Sequence, residues 1–156
     1  MLQVEPAHDS DLETIVALLG EGGLPLDGLL EVPTAAFVAR DGDRVVGAVA
    51  LERHGEDGLL RSLIVHPGQR GKGIGTALVN SAEREASRLG LGAIYLLTET
   101  ATTFFAGRGY RQVDRSGAPR TVMESVEWSV ACADTATAMM KKVDRVPSRV
   151  ARPAAS

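Results

Sequence analysis

Residues 59–89, LLRSLIVHPGQRGKGIGTALVNSAEREASRL, constrain this chain more than any other stretch. Leu59 to Val65 is a short run rich in Leu, Ile and Val, the pattern of a buried strand. His66-Pro67-Gly68 ends it, because Pro67 has no ladder donor and Gly68 tolerates a positive φ. Gly71, Gly73 and Gly75 then alternate, and Ile74, Ala77, Leu78, Ala82, Ala86 and Leu89 follow at the spacing of one helix face. A strand that runs through a glycine turn into a helix start makes an anion site. The first-turn N–H groups have no partner inside the helix, and the helix dipole places about half a positive charge there. Arg70 and Lys72 add charge at its rim.

Three patterns compete for the anion. A P-loop needs GxxxxGK followed by Ser or Thr, but Lys72 is followed by Gly73. A dinucleotide fingerprint needs GxGxxG in an early βα unit, whereas Gly71, Gly73 and Gly75 give GxGxG after nearly half of the chain. A nucleotide-binding domain therefore fits poorly. The plain alternative is a tight turn whose glycines serve packing only, and three alternating glycines between two cations exceed what a turn requires.

The run Arg70-Gly71-Lys72-Gly73-Ile74-Gly75 resembles the Q/R-x-x-G-x-G/A signature of the GNAT superfamily of N-acetyltransferases. The likeness extends from about Ala35 to about Val130 and includes the downstream FF-x-x-x-GY of Phe104 to Tyr110. More narrowly, LLRSLIV, YLLTETATTFFAGRGY and CADTATAMM resemble the acetyltransferases encoded beside arsenic-resistance genes. The resemblance implies an α/β (α+β) fold: a mixed central sheet with two splayed parallel central strands, flanked by helices. It implies acetyl-CoA as cofactor, its pyrophosphate held by Arg70, Gly71, Lys72, Gly73, Ile74, Gly75 and Thr76. Unpaired main-chain groups of Leu63, Ile64 and Val65 would serve the cofactor, and Phe105 stands where many members have a tyrosine general acid. A homodimer formed through the late strands is common among such proteins.

The remaining chain sets bounds. A length of 156 residues suits one domain with a substantial core; we expect it over 1–142, with a disordered, Pro- and Arg-containing tail over 143–156. Cys132 is the single cysteine, so no intramolecular disulfide forms and a reducing compartment is expected. No secretory signal opens the chain, and no apolar run approaches the roughly 20 residues of a membrane span. A net charge of −3 argues against non-specific nucleic-acid binding. The default is a cytoplasmic protein with a small-molecule amine partner, no nucleic acid and no membrane. His8, His54 and His66 lack metal-ligand spacing, so no metal is expected.

Along the chain, Leu2 to Pro6 reads as a strand. Ser10 caps a helix in a box with Glu13, and Leu12, Ile15, Val16 and Leu19 form its buried face up to Gly20. Residues 20–33 are turn-rich and read either as a cover for the acceptor site, as the resemblance implies, or as a connector. Strands are expected at Ala35 to Arg40, Arg44 to Arg53, Ala93 to Glu99, Tyr110 to Asp114 and Thr121 to Val130. A short helix is expected at Thr100 to Ala106, and a last helix capped by Asp134 and running through Lys142. Ala93 to Glu99 should lie parallel to the central strand, because a helix crosses between them.

Acetyl transfer to an amine needs a neutral amine, a donor for the carbonyl oxygen and a fate for the thiolate. Many GNAT members carry a glutamate base on the central strand; here that strand presents Arg61 and Ser62. Phe105 has no proton to give. Deprotonating an ε-ammonium of pKa about 10.4 costs roughly 4 kcal/mol at neutral pH, against about 1 for an α-amine near 8. The absent strand base therefore favours an amino-acid-like acceptor, whose carboxylate Arg61 would match as a planar fork, unless Arg61 is a surface or structural residue. Glu99, at the carboxyl end of its strand, is the first choice for base and Glu52 the second; each is otherwise an ordinary exposed carboxylate. Glu124 and Glu127 would face opposite sides of one strand. A non-catalytic acyl-CoA-binding sensor module is the alternative of another class.

Overall fold

The computed structural model describes residues 2–21, 34–125, 128 and 135–144. Its strands form one seven-stranded sheet in the order β1-β2-β3-β4-β5-β7-β6. These are β1 (Leu2–Pro6), β2 (Thr34–Asp41), β3 (Arg44–His54), β4 (Asp57–Val65), β5 (Ala93–Thr98), β6 (Arg111–Val113) and β7 (Thr137–Lys142). The helices are α1 (Leu12–Glu21), α2 (Ile74–Arg88), α3 (Thr102–Ala106) and α4 (Arg120–Met123). Two-residue turns at Gly42-Asp43 and Gly55-Glu56, with φ of +66° and +67° at the glycines, close the β2–β3 and β3–β4 hairpins.

Helices cover both faces. Ile74, Leu78, Val79, Ala82 and Ala86 of α2 pack on Val46, Val49, Leu51, Leu60 and Ile94. On the other face Ile15, Leu18 and Leu19 of α1 meet Val38, Val45, Ala48 and Ile64, while Val122 of α4 and Trp128 meet Leu59, Leu97 and Ala138. This two-sided cover explains why β3 is buried without alternation from Val45 to Glu52.

β4 and β5 are parallel, and their pairing is confined to Gly58 with Ile94 and Leu59 with Tyr95. Beyond it the strands part. On the other side of β4, Ala48 pairs with Ile64 and Ala50 with Arg61, so Val49 faces both Ser62 and Leu63 across a bulge. Ser62 takes φ +63°, the single non-glycine residue with a positive φ among the described residues. The bulge bends β4 away from β5, and the splayed pair of the sequence reading is present.

Several expectations change. The last helix, Asp134 to Lys142, is in its described part the strand β7, registered against β5 from Thr137 to Lys142. Ala, Met and Lys favour helices, but pairing on both edges overrides a local preference. The strand expected at Thr121 to Val130 opens instead as α4, behind Pro119, whose carbonyl accepts from Val122 and Met123 N–H at 3.0 and 2.9 Å. Glu124 therefore ends a helical turn, and Glu127 lies outside the described residues. The α1 cap moves from Ser10 to a preceding short turn, where His8 N–H donates to Asp11 at 2.8 Å. Helix α1 runs on past Gly20, and its buried face is Ile15, Leu18 and Leu19, with Leu12 and Val16 exposed at 38% and 36%. Residues 22–33 and 145–156, which include most of the acceptor-cover stretch and of the tail, lie outside the described residues.

Candidate active site

The anion turn has the geometry its glycines foretold. Gly71 and Gly73 take φ of +82° and +80°, and a Cβ built on either would meet no atom within 4 Å. The backbone there is bare and open to a ligand. Gly73 caps α2, and the first N–H bonded back into the helix is that of Ala77, to Gly73 O at 3.1 Å. The N–H groups of Ile74, Gly75 and Thr76 precede that bond and have no carbonyl inside the helix. Arg70 Nε donates to Val65 O at 3.3 Å and Lys72 Nζ to Gln69 Oε1 at 3.2 Å, which holds both cations at the rim. Gly75 has a different reason: a Cβ would stand 3.4 Å from the Phe104 ring, so the α3 aromatic closes directly on the turn.

The cleft between β4 and β5 begins beside this turn. Past Leu59, β4 has no ladder partner on β5. Ile64 stays paired with Ala48 of β3, and main-chain groups alternate along a strand, so those of Leu63 and Val65 point to the gap side, where Val65 O accepts from Arg70 Nε. Glu99 follows β5 directly. It lies in the bend after the strand, on the side of β5 where the pairing with β4 has ended. It is exposed and accepts from Thr135 Oγ1 at 3.3 Å. Phe105 is buried, edge-to-face with Phe104 at 5.1 Å and with Tyr110 at 5.4 Å. Tyr110 donates its hydroxyl to Glu83 at 2.9 Å, and burial, reinforced by the Glu83 charge, pushes its pKa far up. That hydroxyl stays protonated and committed to Glu83.

The opposite side of the bulge holds Glu52 and Arg61, and the exposed alternative weighed for each is overturned. Glu52 and Arg61 are only 2% and 3% exposed, and Arg61 Nη1 donates to Glu52 Oε2 at 3.2 Å. The other Glu52 oxygen contacts His54 Nε2 at 2.8 Å, and Arg61 Nε donates to Ser62 Oγ at 3.3 Å. His54, Glu52, Arg61 and Ser62 thus form a row from the β3–β4 hairpin to the bulge. The Glu52-x-His54 spacing on a strand was the available signal, since residues two apart share a face. Phe104 and Arg108, against the first turn of α2, were also missed as site residues; nothing local shows which way they point. Among the described residues no group of three or more His, Cys, Asp or Glu is placed to hold a metal ion, and no helix is long and apolar enough to cross a membrane.

The profile described as "Acetyltransferase (GNAT) domain" matches residues 33–112, more than half of the chain, from β2 to β6. The chain belongs to the GNAT acetyltransferase family. Comparison with curated proteins finds no match. Among solved structures it is similar to Neisseria gonorrhoeae N-acetylglutamate synthase complexed with coenzyme A and N-acetyl-glutamate, at TM-score 0.77 and 20% identity over 93% of this chain. This chain spans only 36% of that synthase. A Mycobacterium tuberculosis protein crystallised with CoA has TM-score 0.74 and 24% identity, over 91% of this chain and 99% of its own. The PaiA N-acetyltransferase of Thermoplasma acidophilum, in complex with coenzyme A, has TM-score 0.69 and 16% identity, over 91% and 98%. These likenesses establish the fold. GNAT enzymes use acetyl-CoA, and the open glycine backbone, helix N–H groups and rim cations of this member suit its diphosphate.

Proposed function

We propose that this GNAT member is an acetyl-CoA-dependent N-acetyltransferase that acetylates a small, amino-acid-like α-amine by direct attack, without an acyl-enzyme. The observation that carries the reading is the bulge at Ser62-Leu63, which opens β4 from β5 beside the anion turn and leaves main-chain donors facing the gap. Bound acetyl-CoA supplies an activated acetyl thioester. The turn from Arg70 to Thr76 grips its diphosphate, and the main chain of Leu63 to Val65 orients the acyl end. Glu99, exposed in the bend after β5, takes the amine proton; Glu52, buried against Arg61 and His54, is the second choice. Arg61, the sequence's candidate for the acceptor's carboxylate, has its guanidinium buried against Glu52 and Ser62, so its role is to hold the bulge from behind. Neither Phe105 nor Tyr110 supplies a proton to the departing thiolate, but a thiol of pKa about 8.5 leaves tolerably without one.

An α-amine suits a site whose proposed base is an exposed carboxylate, as argued from the relative cost of neutralising the two amines. The N-acetyl-glutamate in the Neisseria synthase complex supports an amino-acid acceptor by analogy. The narrower resemblance makes an arsenic-containing amino acid analogue a specific candidate. Phe105, buried among aromatic rings with no proton to offer, favours a second reading, a non-catalytic acyl-CoA sensor.

Thiol release from acetyl-CoA across a panel of amino acids, their amides, polyamines, a lysyl peptide and an arsenic-containing amino acid analogue tests both readings. Release is expected with free α-amino acids. It should fall about 10²–10⁴-fold in Glu99→Gln while CoA affinity holds. Preference for the lysyl peptide overturns the acceptor class; CoA binding without release on any amine establishes the sensor.

A further inference from the structure

Arg108 lies between α3 and β6, yet its side chain reaches back to the first turn of α2. Its Nε donates to Thr76 Oγ1 at 3.0 Å, its Nη1 donates to Gly107 O at 3.2 Å, and its guanidinium carbon lies 5.0 Å from the centre of the Phe104 ring. Phe104 is the aromatic that closes on Gly75. The Arg108 backbone is held as well: Lys141 Nζ of β7 donates to Arg108 O at 2.8 Å and pairs with Glu83 at 3.1 Å. Glu83 is the same carboxylate that receives the Tyr110 hydroxyl. Gly109, at φ +94°, turns the chain between these contacts.

Holding a long, rotamer-rich side chain this way costs conformational entropy. Among the described residues no carboxylate stands in contact with Arg108: Glu83 is taken by Lys141 and Tyr110. A guanidinium has five N–H donors, of which two are engaged here, and those two meet neutral oxygens. The result is a net positive, immobilised fork beside Thr76, in the turn whose N–H groups lack helix carbonyls. The guanidinium and the N–H groups without helix carbonyls thus share the first turn of α2, where an anion with several oxygens would satisfy both.

We propose that Arg108 is a ligand of the CoA diphosphate, presented to it by the latch of Glu83, Tyr110 and Lys141. Arg108 then selects for diphosphate-bearing acyl carriers, and Lys141 is a positioning residue. The assignment rests on CoA as cofactor and is independent of the acceptor.

Calorimetric titration of the full chain with CoA and with dephospho-CoA, which keeps the diphosphate and lacks the 3′-phosphate, tests it. Arg108→Gln should weaken both by about tenfold to a hundredfold, and by less as ionic strength rises. Arg108→Lys should recover part of the loss, and Lys141→Met should weaken both to a smaller degree. A loss confined to CoA moves Arg108 to the 3′-phosphate and overturns the proposal. Unchanged affinities, or a loss insensitive to salt and not relieved by Lys, overturn it too, the last by assigning a packing role. If wild-type protein binds neither compound, the cofactor reading itself fails, an outcome distinct from normal binding by Arg108→Gln.

Discussion

The two sides of the β4 bulge are built on opposite principles. On the cofactor side the residues that matter are exposed, consecutive and largely main chain: Gly71 and Gly73 supply backbone shape, and Arg70 and Lys72 keep their charges in water. On the Arg61–Glu52 side the charges are buried and come from two strands, with the two side chains 0% and 3% exposed. An exposed anion turn gains its ligand without prior desolvation and adds little to stability. A buried ion pair has been desolvated during folding and rarely stabilises more than an apolar pair would, but it becomes costly when one partner is lost. Changes on one side should therefore alter binding at nearly constant stability, and changes on the other should alter stability first.

The largest expected effect tests the buried side. Glu52→Leu removes the buried carboxylate that faces Arg61 and should destabilise the fold by about 3–5 kcal/mol, while adding Arg61→Met should restore part of it. Denaturant unfolding of the single and double variants measures this, and additive losses would break the contrast. Next comes the exposed side. Gly73→Asp forces a side chain onto a backbone at φ +80° and sets a negative charge at the turn. Titration should then show CoA affinity reduced by at least about a hundredfold, an energy of roughly 3 kcal/mol, with the melting temperature lowered far less than in Glu52→Leu. Equal melting losses would show that the turn is structural.

The smallest effect lies away from both. Hydrogen bonding to Arg40 holds the Asp11 carboxyl below its ordinary range, at 2.6 and 3.0 Å, with Glu5 as a further partner of Arg40. A depressed folded-state value contributes stability above the unfolded pKa, near 3.9, and that contribution is lost as pH falls through the folded value. Arg40→Met should raise the Asp11 pKa in an NMR titration and move acid unfolding to higher pH, with a stability cost of about 1 kcal/mol at neutral pH. An unmoved acid transition would show that this network does not contribute.

The same contrast explains what could be read in advance. The anion turn, both early hairpins and α2 were legible because their signals lie within a few consecutive residues: a positive φ asks for glycine, and a buried helix face repeats every three to four positions. The final segment was not. Thr137 to Lys142 consists mostly of residues that favour helices, and only the open edges of β5 and β6 make it a strand. The cap at His8 went unseen for a related reason, since Asp11 answers to Arg40, far along the chain on β2.

The site divides along that line. Composition and spacing alone determined that a strand, a glycine turn and a helix would follow one another, because backbone geometry there depends on adjacent residues. Only the tertiary structure decided that Arg61 and Glu52 are buried together, that Glu99 meets Thr135, and that Arg108 bonds Thr76. Strand pairing and helix packing set those distances, and they join residues whose separation in the chain carries no local signal.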